Sequence, residues 1–296
     1  MSKALPPVIK WSGSKRSVAA QLASLFPEYE RYYEPFVGGG AMLPFRKVRQ
    51  GCANDIMPEL IQFWTVIRDD PQSAIDGYTV RWQARQQSGH RIYYEIRDHF
   101  NETRDPIDFL FLSRTCVNGL IRFNKEGNFN NSLHHTRPGV APETLGEVII
   151  MWSKAIQGVS FTSSDYANAL SDVTDGDFVF LDPPYESTRG RYLHDAFNAD
   201  RFYGQLDRLN RIGAKWMLTY DGQAGKRHYE VGLPCELFKA RVDICTGNSP
   251  FTRLMNQNLD NVTESVYMNY EPASGLGCGS LQSALDFREI PVCLEV

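Results

Sequence analysis

Several things are missing from this 296-residue sequence, and each absence removes a class of protein. No apolar run approaches the roughly 18 residues that a membrane-spanning helix requires. The opening MSKALPPVIK lacks the apolar centre of an export signal, so a cytoplasmic chain without membrane attachment is expected. Cysteine is sparse: Cys52, Cys116, Cys235, Cys245, Cys278 and Cys293 are scattered, with no close pair at zinc-ligand spacing. A reduced chain follows, with no disulfide framework. The six histidines form no helical His-Glu-x-x-His, and His134 and His135 are simply adjacent, so no metal is expected. An excess of positive charge is lacking too: 31 Lys and Arg against 35 Asp and Glu leave −4.

Distribution qualifies that total. Between Arg81 and Arg137, nine basic residues face six acidic ones, and four of the six histidines fall there. Residues 1–31 hold five basic against two acidic, so the rest of the chain sums to −10. Two basic segments on an acidic body suit a protein that grips a polyanion over a limited face, and equally suit mixed, solvated surfaces.

What is present alternates between strand and helix. RYYEPFV (31–37), CANDI (52–56), GVSF (158–161), DFVFL (177–181), WMLTY (216–220), ELFKARV (236–242) and SVYMNY (265–270) read as strands. Helices are expected after Gly40 to about Lys47, from Pro58 to Asp69, and near 164–171 and 197–212. Continuous apolar strands between helices imply an α/β fold with a mostly parallel sheet covered on both faces. Residues 71–157 differ: helices near 72–87, 90–102, 105–117 and 142–156 surround a loop rich in Asn, Gly and His. That reads as a helical insertion.

Three motifs carry chemistry. Asp182-Pro183-Pro184-Tyr185 follows the buried-type strand DFVFL directly, where open α/β sheets bind ligands. A carboxylate and a backbone carbonyl side by side can both accept from a planar exocyclic amine. Proline suits the carbonyl position because it has no N–H to compete, and an aromatic in fourth place can stack on a base. The alternative is a Pro-Pro turn with Asp as a cap. Next, Glu34-Pro35-Phe36-Val37-Gly38-Gly39-Gly40 ends the first strand, where glycines admit close approach to the backbone. Gly38 and Gly40 fit the first two glycines of the dinucleotide pattern, but Leu43 stands where the third belongs. Asp55 closes the next strand, placed to accept from ribose hydroxyls; a tight turn remains the alternative. Third, Lys10-Trp11-Ser12-Gly13-Ser14-Lys15 has no P-loop spacing and reads alone as a helix N-cap with basic flanks.

In this order the three motifs resemble the Dam-type adenine-N6 DNA methyltransferases of the alpha arrangement, over roughly residues 8–270. The resemblance implies a Rossmann-like methyltransferase sheet over 1–70 and 158–270, a target-recognition insertion over 71–157, and a tail, 271–296, without a counterpart. It implies S-adenosylmethionine as donor, with Trp11, Lys15, Asp55 and Asp182 at donor-contacting positions, Glu34, Phe36 and Gly38 alongside, and Asp165 facing the donor's adenine. Asp182, Pro183 and Tyr185 would carry catalysis. Asn118-Gly119-Leu120-Ile121-Arg122-Phe123-Asn124 and Gly127-Asn128-Phe129-Asn130 match the recognition segment, so Lys10, Asn118, Leu120 and Arg122 would face double-stranded DNA. Arg122 is suited to guanine by its bidentate fork or, alternatively, to phosphate. Ser14 replaces a usual glycine, Val117 a frequent tyrosine, and Leu218-Thr219-Tyr220-Asp221 a Ser-Asn pair. The expected reaction is methylation of a flipped adenine in GATC or a related short site, with a cognate restriction nuclease as a candidate partner. The alternatives are methylation of RNA or another planar amine, and a non-catalytic DNA-binding regulator.

Overall fold

The computed structural model describes residues 4–136, 139–184, 198–224, 227–228, 233–245, 262–272 and 281–283. Its sheet grows from short apolar strands. β1 (Tyr32–Glu34), β2 (Gly51–Asn54), β3 (Val159–Thr162), β4 (Phe178–Leu181) and β5 (Lys215–Ala224) lie in the order β3-β2-β1-β4-β5, all parallel. From β1 the chain moves outward through β2 and β3, then returns to β4 on the other side. The carboxyl ends of β1 and β4 therefore flank the crevice where strand order reverses. Beyond β5 the sheet turns antiparallel. β8 (Val262–Met268) is inserted between β5 and β7 (Ala240–Cys245), β9 (Leu281–Ser283) adds outside β7, and β6 (Arg227–His228) pairs with β5. The tail 271–296 thus contributes the edge strand β9.

Alternation along the strands divides the interior into two layers. Tyr32, Phe178, Phe180 and Met217 enter one core; Tyr33, Val179, Leu181, Trp216 and Leu218 enter the other. α8 (Ala199–Arg211) covers the second with Phe202, Leu206 and Leu209. The first is covered by α1 (Ala19–Ser24) and α2 (Pro58–Asp69), which continue into a helical block of α3 (Pro71–Ser88), α4 (Arg91–Thr103), α5 (Pro106–Thr115) and α6 (Pro142–Ala155). Four of these helices begin on proline, tolerated where the N–H would have no partner anyway. Asp70 accepts from Ser73 N–H, and Asp105 from Ile107 and Asp108 N–H, which caps α3 and α5. Leu60, Phe63, Trp64 and Ile67 form the buried stripe of α2. Trp64 stacks on Phe161 of β3 at 6.3 Å, meets Trp152 of α6 at 5.0 Å and donates its indole N–H to Gly38 O. Inside the block, buried Asp108 receives Arg81 Nε at 2.6 Å and His99 Nδ1 at 2.5 Å, tying α3 and α4 to α5. The helical block and the sheet share one apolar core. No helix among the described residues is long and apolar enough to cross a membrane.

Three expectations need correction. The helix after Gly40 is only one 3-10 turn, Leu43–Phe45, with Pro44 inside it. Positive φ at Gly38 and Gly40 (44° and 66°) bends the chain before a helix can start. The helix near 164–171 shrinks to α7 (Tyr166–Ala169). ELFKARV is extended only from Ala240, because Leu237 and Phe238 are buried in the preceding turn.

Trp64 is fully buried and joins three elements, so Trp64→Ala is expected to cost about 3–5 kcal/mol. A urea titration checks this; a change under about 1 kcal/mol would mean the shared core does not depend on that contact.

Candidate active site

The glycine turn is shaped by neighbouring tryptophans. A Cβ at Gly38 would lie 2.5 Å from Trp11 Nε1, one at Gly39 2.9 Å from Trp11 Cβ, and one at Gly40 3.0 Å from Trp64. The close approach that these glycines permit is thus made by Trp11 and Trp64. Helix N–H groups do not line the turn; instead Gly38 N–H donates to Asp55 Oδ2 at 3.1 Å. Met57 N–H donates to the other oxygen, also at 3.1 Å. Gly38 and Asp55, singled out separately in the sequence, are one unit. Burial raises the Asp55 carboxyl to about 6, with both N–H bonds opposing the rise. Beside it Asn54, 1% exposed, donates to Pro35 O and Ser164 O and accepts from Thr162, stitching the ends of β1, β2 and β3. Sequence reading missed Asn54, since nothing in CANDI distinguishes it from an ordinary strand end.

Phe36 leans on Tyr166 at 5.4 Å and Phe202 at 6.3 Å, which makes an aromatic wall at the carboxyl edge. Asp165 caps α7 through Ala167 N–H and also takes a two-pronged bond from Arg201, at 2.9 and 2.7 Å. That guanidinium lies over the Tyr166 ring at 5.2 Å.

Asp182 follows β4 directly, its side chain 20% exposed. Oδ1 accepts from Lys15 Nζ and from Thr219 Oγ1, both at 2.9 Å. Oδ2 carries no hydrogen bond among the described residues. Lys15, only 7% exposed, also meets Glu264 Oε1 of β8 at 2.5 Å. Burial holds the Asp182 carboxyl above its ordinary range and Glu264 adds to this, while Lys15 pulls it down. Glu34 ends β1 beneath this group, 3% exposed, and accepts from Tyr32 O–H at 2.9 Å. Burial, helped by the Asp182 charge, raises it to about 8. Pro183 is buried and Pro184 exposed; Tyr185 lies outside the described residues. Glu264 is a further candidate that the sequence did not reveal, because nothing in VTESVYM sets it apart from its polar neighbours Thr263 and Ser265; Thr219 is marked in the sequence only as part of the segment that replaces a Ser-Asn pair.

The basic loop gathers at the other side of residues 10–15. Lys10 packs its stem on Gly119, where a Cβ would lie 2.6 Å from Lys10 Cβ and closer still to Cδ. Asn118 is left-handed (φ 57°) and exposed; Leu120 is 40% exposed. Arg122 is exposed and donates Nε to Asn130 Oδ1 at 3.0 Å. Phe123 and Phe129 form an isolated bridge and pack on Phe100, which anchors the loop. The structure thus brings Lys10, Asn118, Leu120 and Arg122 to one segment, and Trp11, Lys15, Glu34, Gly38, Asp55 and Asp182 to the strand ends. Among the described residues no group of three or more His, Cys, Asp or Glu could hold a metal ion.

A carboxylate directly after β4, at the point where the order of a mostly parallel sheet reverses, marks the candidate active site of an α/β enzyme. The family model for the D12 class N6 adenine-specific DNA methyltransferases matches residues 11–230, and the chain belongs to that family. It is therefore an adenine-specific DNA methyltransferase, of a family that generally uses S-adenosylmethionine. It is 31% identical to the DNA N-6-adenine-methyltransferase of Escherichia phage P1 over 82% of this chain, which spans 34% of that relative. It is 28% identical to the Type II methyltransferase M.MjaIII of Methanocaldococcus jannaschii, over 89% of this chain and 99% of the relative. The DNA adenine methylase of Vibrio cholerae is also 28% identical, over 60% of this chain and 64% of its own length.

Glu34 offers a test of the buried site. Its carboxyl rises from 4.5 to about 8 on folding, so its contribution is full below pH 4.5 and lost as pH rises through 8. Glu34→Gln is therefore expected to flatten the decline of Tm between pH 5 and 8. Thermal melts across that range decide it, and parallel curves for the two proteins would place Glu34 in contact with water.

Proposed function

We propose that this chain transfers a methyl group from S-adenosylmethionine to N6 of an adenine flipped out of double-stranded DNA, within GATC or a related short site. One observation carries the reading: Asp182, at the switch point of the sheet, is fixed through Oδ1 by Lys15 and Thr219, while Oδ2 takes no hydrogen bond from the described residues. The residues present suit the donor. Asp55 is held by the backbone N–H groups of Gly38 and Met57 and would accept from ribose hydroxyls. Phe36 offers an aromatic face beside Tyr166, and Trp11, Lys15, Glu34, Gly38 and Asp165 would contribute further contacts to the donor. When bound, S-adenosylmethionine supplies a sulfonium-activated methyl group, electrophilic without a metal.

The chain's own residues do the rest. The N6 lone pair of adenine is delocalised, so Asp182 Oδ2 and the Pro183 carbonyl accept from the amine and draw it towards tetrahedral geometry. Positioning of this kind supplies much of the acceleration. Asp182 need not be a strong base, because the amine proton becomes acidic only after methylation; its raised pKa suits it to hold that proton. Tyr185 would stack on the base. Flipping costs a few kcal/mol, offset in part by contacts from the recognition loop. Lys10, Asn118, Leu120 and Arg122 would face the duplex, and a bidentate Arg122 would discriminate guanine by about 1–3 kcal/mol.

In this reading residues 1–70 and 158–270 form the methyltransferase domain and 71–157 the target-recognition insertion. The protein would work in the cytoplasm of a bacterial or phage-infected cell, where its substrate lies. A cognate restriction nuclease is a candidate partner, in keeping with the Type II label of the archaeal relative.

Asp182→Ala is expected to lower transfer of labelled methyl to duplex adenine about 100-fold or more while the fold persists. Circular dichroism and adenine-specific sequencing of methylated DNA check both halves. Retained methylation in a folded variant would falsify the assignment.

A further inference from the structure

Asp165 follows β3 at the carboxyl edge of the sheet, and the chain just before it is fixed there. Ser164 exchanges three hydrogen bonds with Asn54 at the end of β2: its N–H and Oγ–H donate to Asn54 Oδ1 at 3.0 and 3.1 Å, and Asn54 Nδ2 donates to Ser164 O at 2.9 Å. Asp55 comes directly after Asn54, so Asp55 and Asp165 stand at neighbouring strand ends. What remains to be set is the direction of the Asp165 carboxylate. Ala167 N–H and one Arg201 nitrogen occupy Oδ1, and the second Arg201 nitrogen occupies Oδ2. A carboxylate offers about four lone-pair directions, so one is left, on Oδ2, by the described residues. Arg201 is itself held at both ends. Its backbone N–H donates to Asn198 Oδ1, the cap of α8, and its guanidinium lies over the Tyr166 ring. Both partners are partly exposed, so the ion pair adds little to stability. A two-pronged contact supplies orientation instead.

We propose that Arg201 is a positioning residue for the methyl donor: its fork locks the Asp165 carboxylate, so that the remaining direction on Oδ2 accepts from the 6-amino group of the donor's adenine and rejects a 6-oxo purine. The two purines differ in where the hydrogen sits. An adenosyl group carries NH₂ on C6 and a bare N1, whereas an inosyl group carries an oxygen on C6 and the hydrogen on N1. The hydrogen-bond donor has moved by one ring position. A carboxylate free to turn can follow it and accept from N1–H. A carboxylate held by two guanidinium nitrogens and a backbone N–H cannot, and it meets the 6-oxo group lone pair against lone pair. A site whose polar groups cannot pair again discriminates far more strongly than one that adapts. Arg201 acts here through Asp165 and needs no contact with the donor itself.

The inference rests on the reading of Asp165 as the contact for the donor's adenine, and the experiment separates the two. Binding of S-adenosylhomocysteine and of S-inosylhomocysteine to the full chain is measured by calorimetry, for the wild type, Arg201→Lys, Arg201→Gln and Asp165→Asn. The wild type is expected to prefer the adenosyl ligand about 100-fold or more. Arg201→Lys keeps the charge and loses the fork. It should bind the adenosyl ligand up to about tenfold more weakly and the inosyl ligand more tightly, so that the preference falls below about tenfold. General damage to the pocket would weaken both ligands together. Parallel weakening, or a preference that Arg201→Lys keeps, overturns the proposal; Arg201→Gln decides in the same way should the lysine variant not fold. Asp165→Asn can turn its amide to donate to a 6-oxo group, so its preference should collapse. If that variant keeps the preference, or the wild type has none, the reading of Asp165 fails and the proposal with it. If Asp165→Asn loses the preference and the Arg201 variants retain it, the proposal alone fails. A wild type that binds neither ligand overturns the donor assignment itself.

Discussion

A lysine ammonium 7% exposed to water is costly unless opposite charge meets it, and in this chain two carboxylates do. That ion cluster fixes what surrounds it. It ties the segment before the first helix to the end of β4 and to the antiparallel half of the sheet, elements far apart in sequence. It also decides which oxygen of Asp182 is occupied. Removing Lys15 would leave two carboxylates facing each other in a poorly solvated place, which is why the three must be considered together rather than as separate contacts.

The acids around the cluster differ in state because their surroundings differ. Glu34 is buried with a hydroxyl as its neighbour and rises to about 8, so it is mostly protonated at neutral pH. Asp55 has two backbone N–H donors and stops at about 6, so it is mostly ionised there. Asp182 is pulled in both directions, raised by burial and by Glu264 and lowered by Lys15. Carboxyl groups close together thereby take different states, and in the proposed function those states would suit different tasks: a neutral floor, an ionised acceptor for hydroxyls, and an acceptor for an amine. No change of residue type is needed, only of partners.

Much of the fold was legible because local signals and tertiary demands agree. Pro58, Pro71, Pro106 and Pro142 each start a helix where the pattern placed one. FVFL reads as a strand buried on both faces, and it is. The order of motifs along the chain pointed to the family, which no single motif could. The glycine run misled, because its usual continuation into a helix depends on what the turn must accommodate. Here Trp11 and Trp64 press on the glycines, a contact between residues some 25 positions or more apart that periodicity does not register. Glu264 was invisible, and the role of Thr219 with it, for the opposite reason: their environment is made by pairing between β5 and β8, and alternation treats a buried polar position as noise.

The segment 10–15 gives the arrangement its unity. Lys10 lies on Gly119 at the base of the exposed loop, Trp11 on the glycine turn, and Lys15 on Asp182. Pro6 and Pro7, just before it, accept from Trp152 and Arg114 of the helical block. Six consecutive residues therefore touch the exposed loop at Gly119, the turn beside Asp55 and the carboxylate at the switch point. A shift of the loop large enough to unseat Lys10 must pull on a chain whose other end is held by buried charge. The loop and the transfer site are thus mechanically linked through the backbone itself, a shorter path than any route through the shared apolar core.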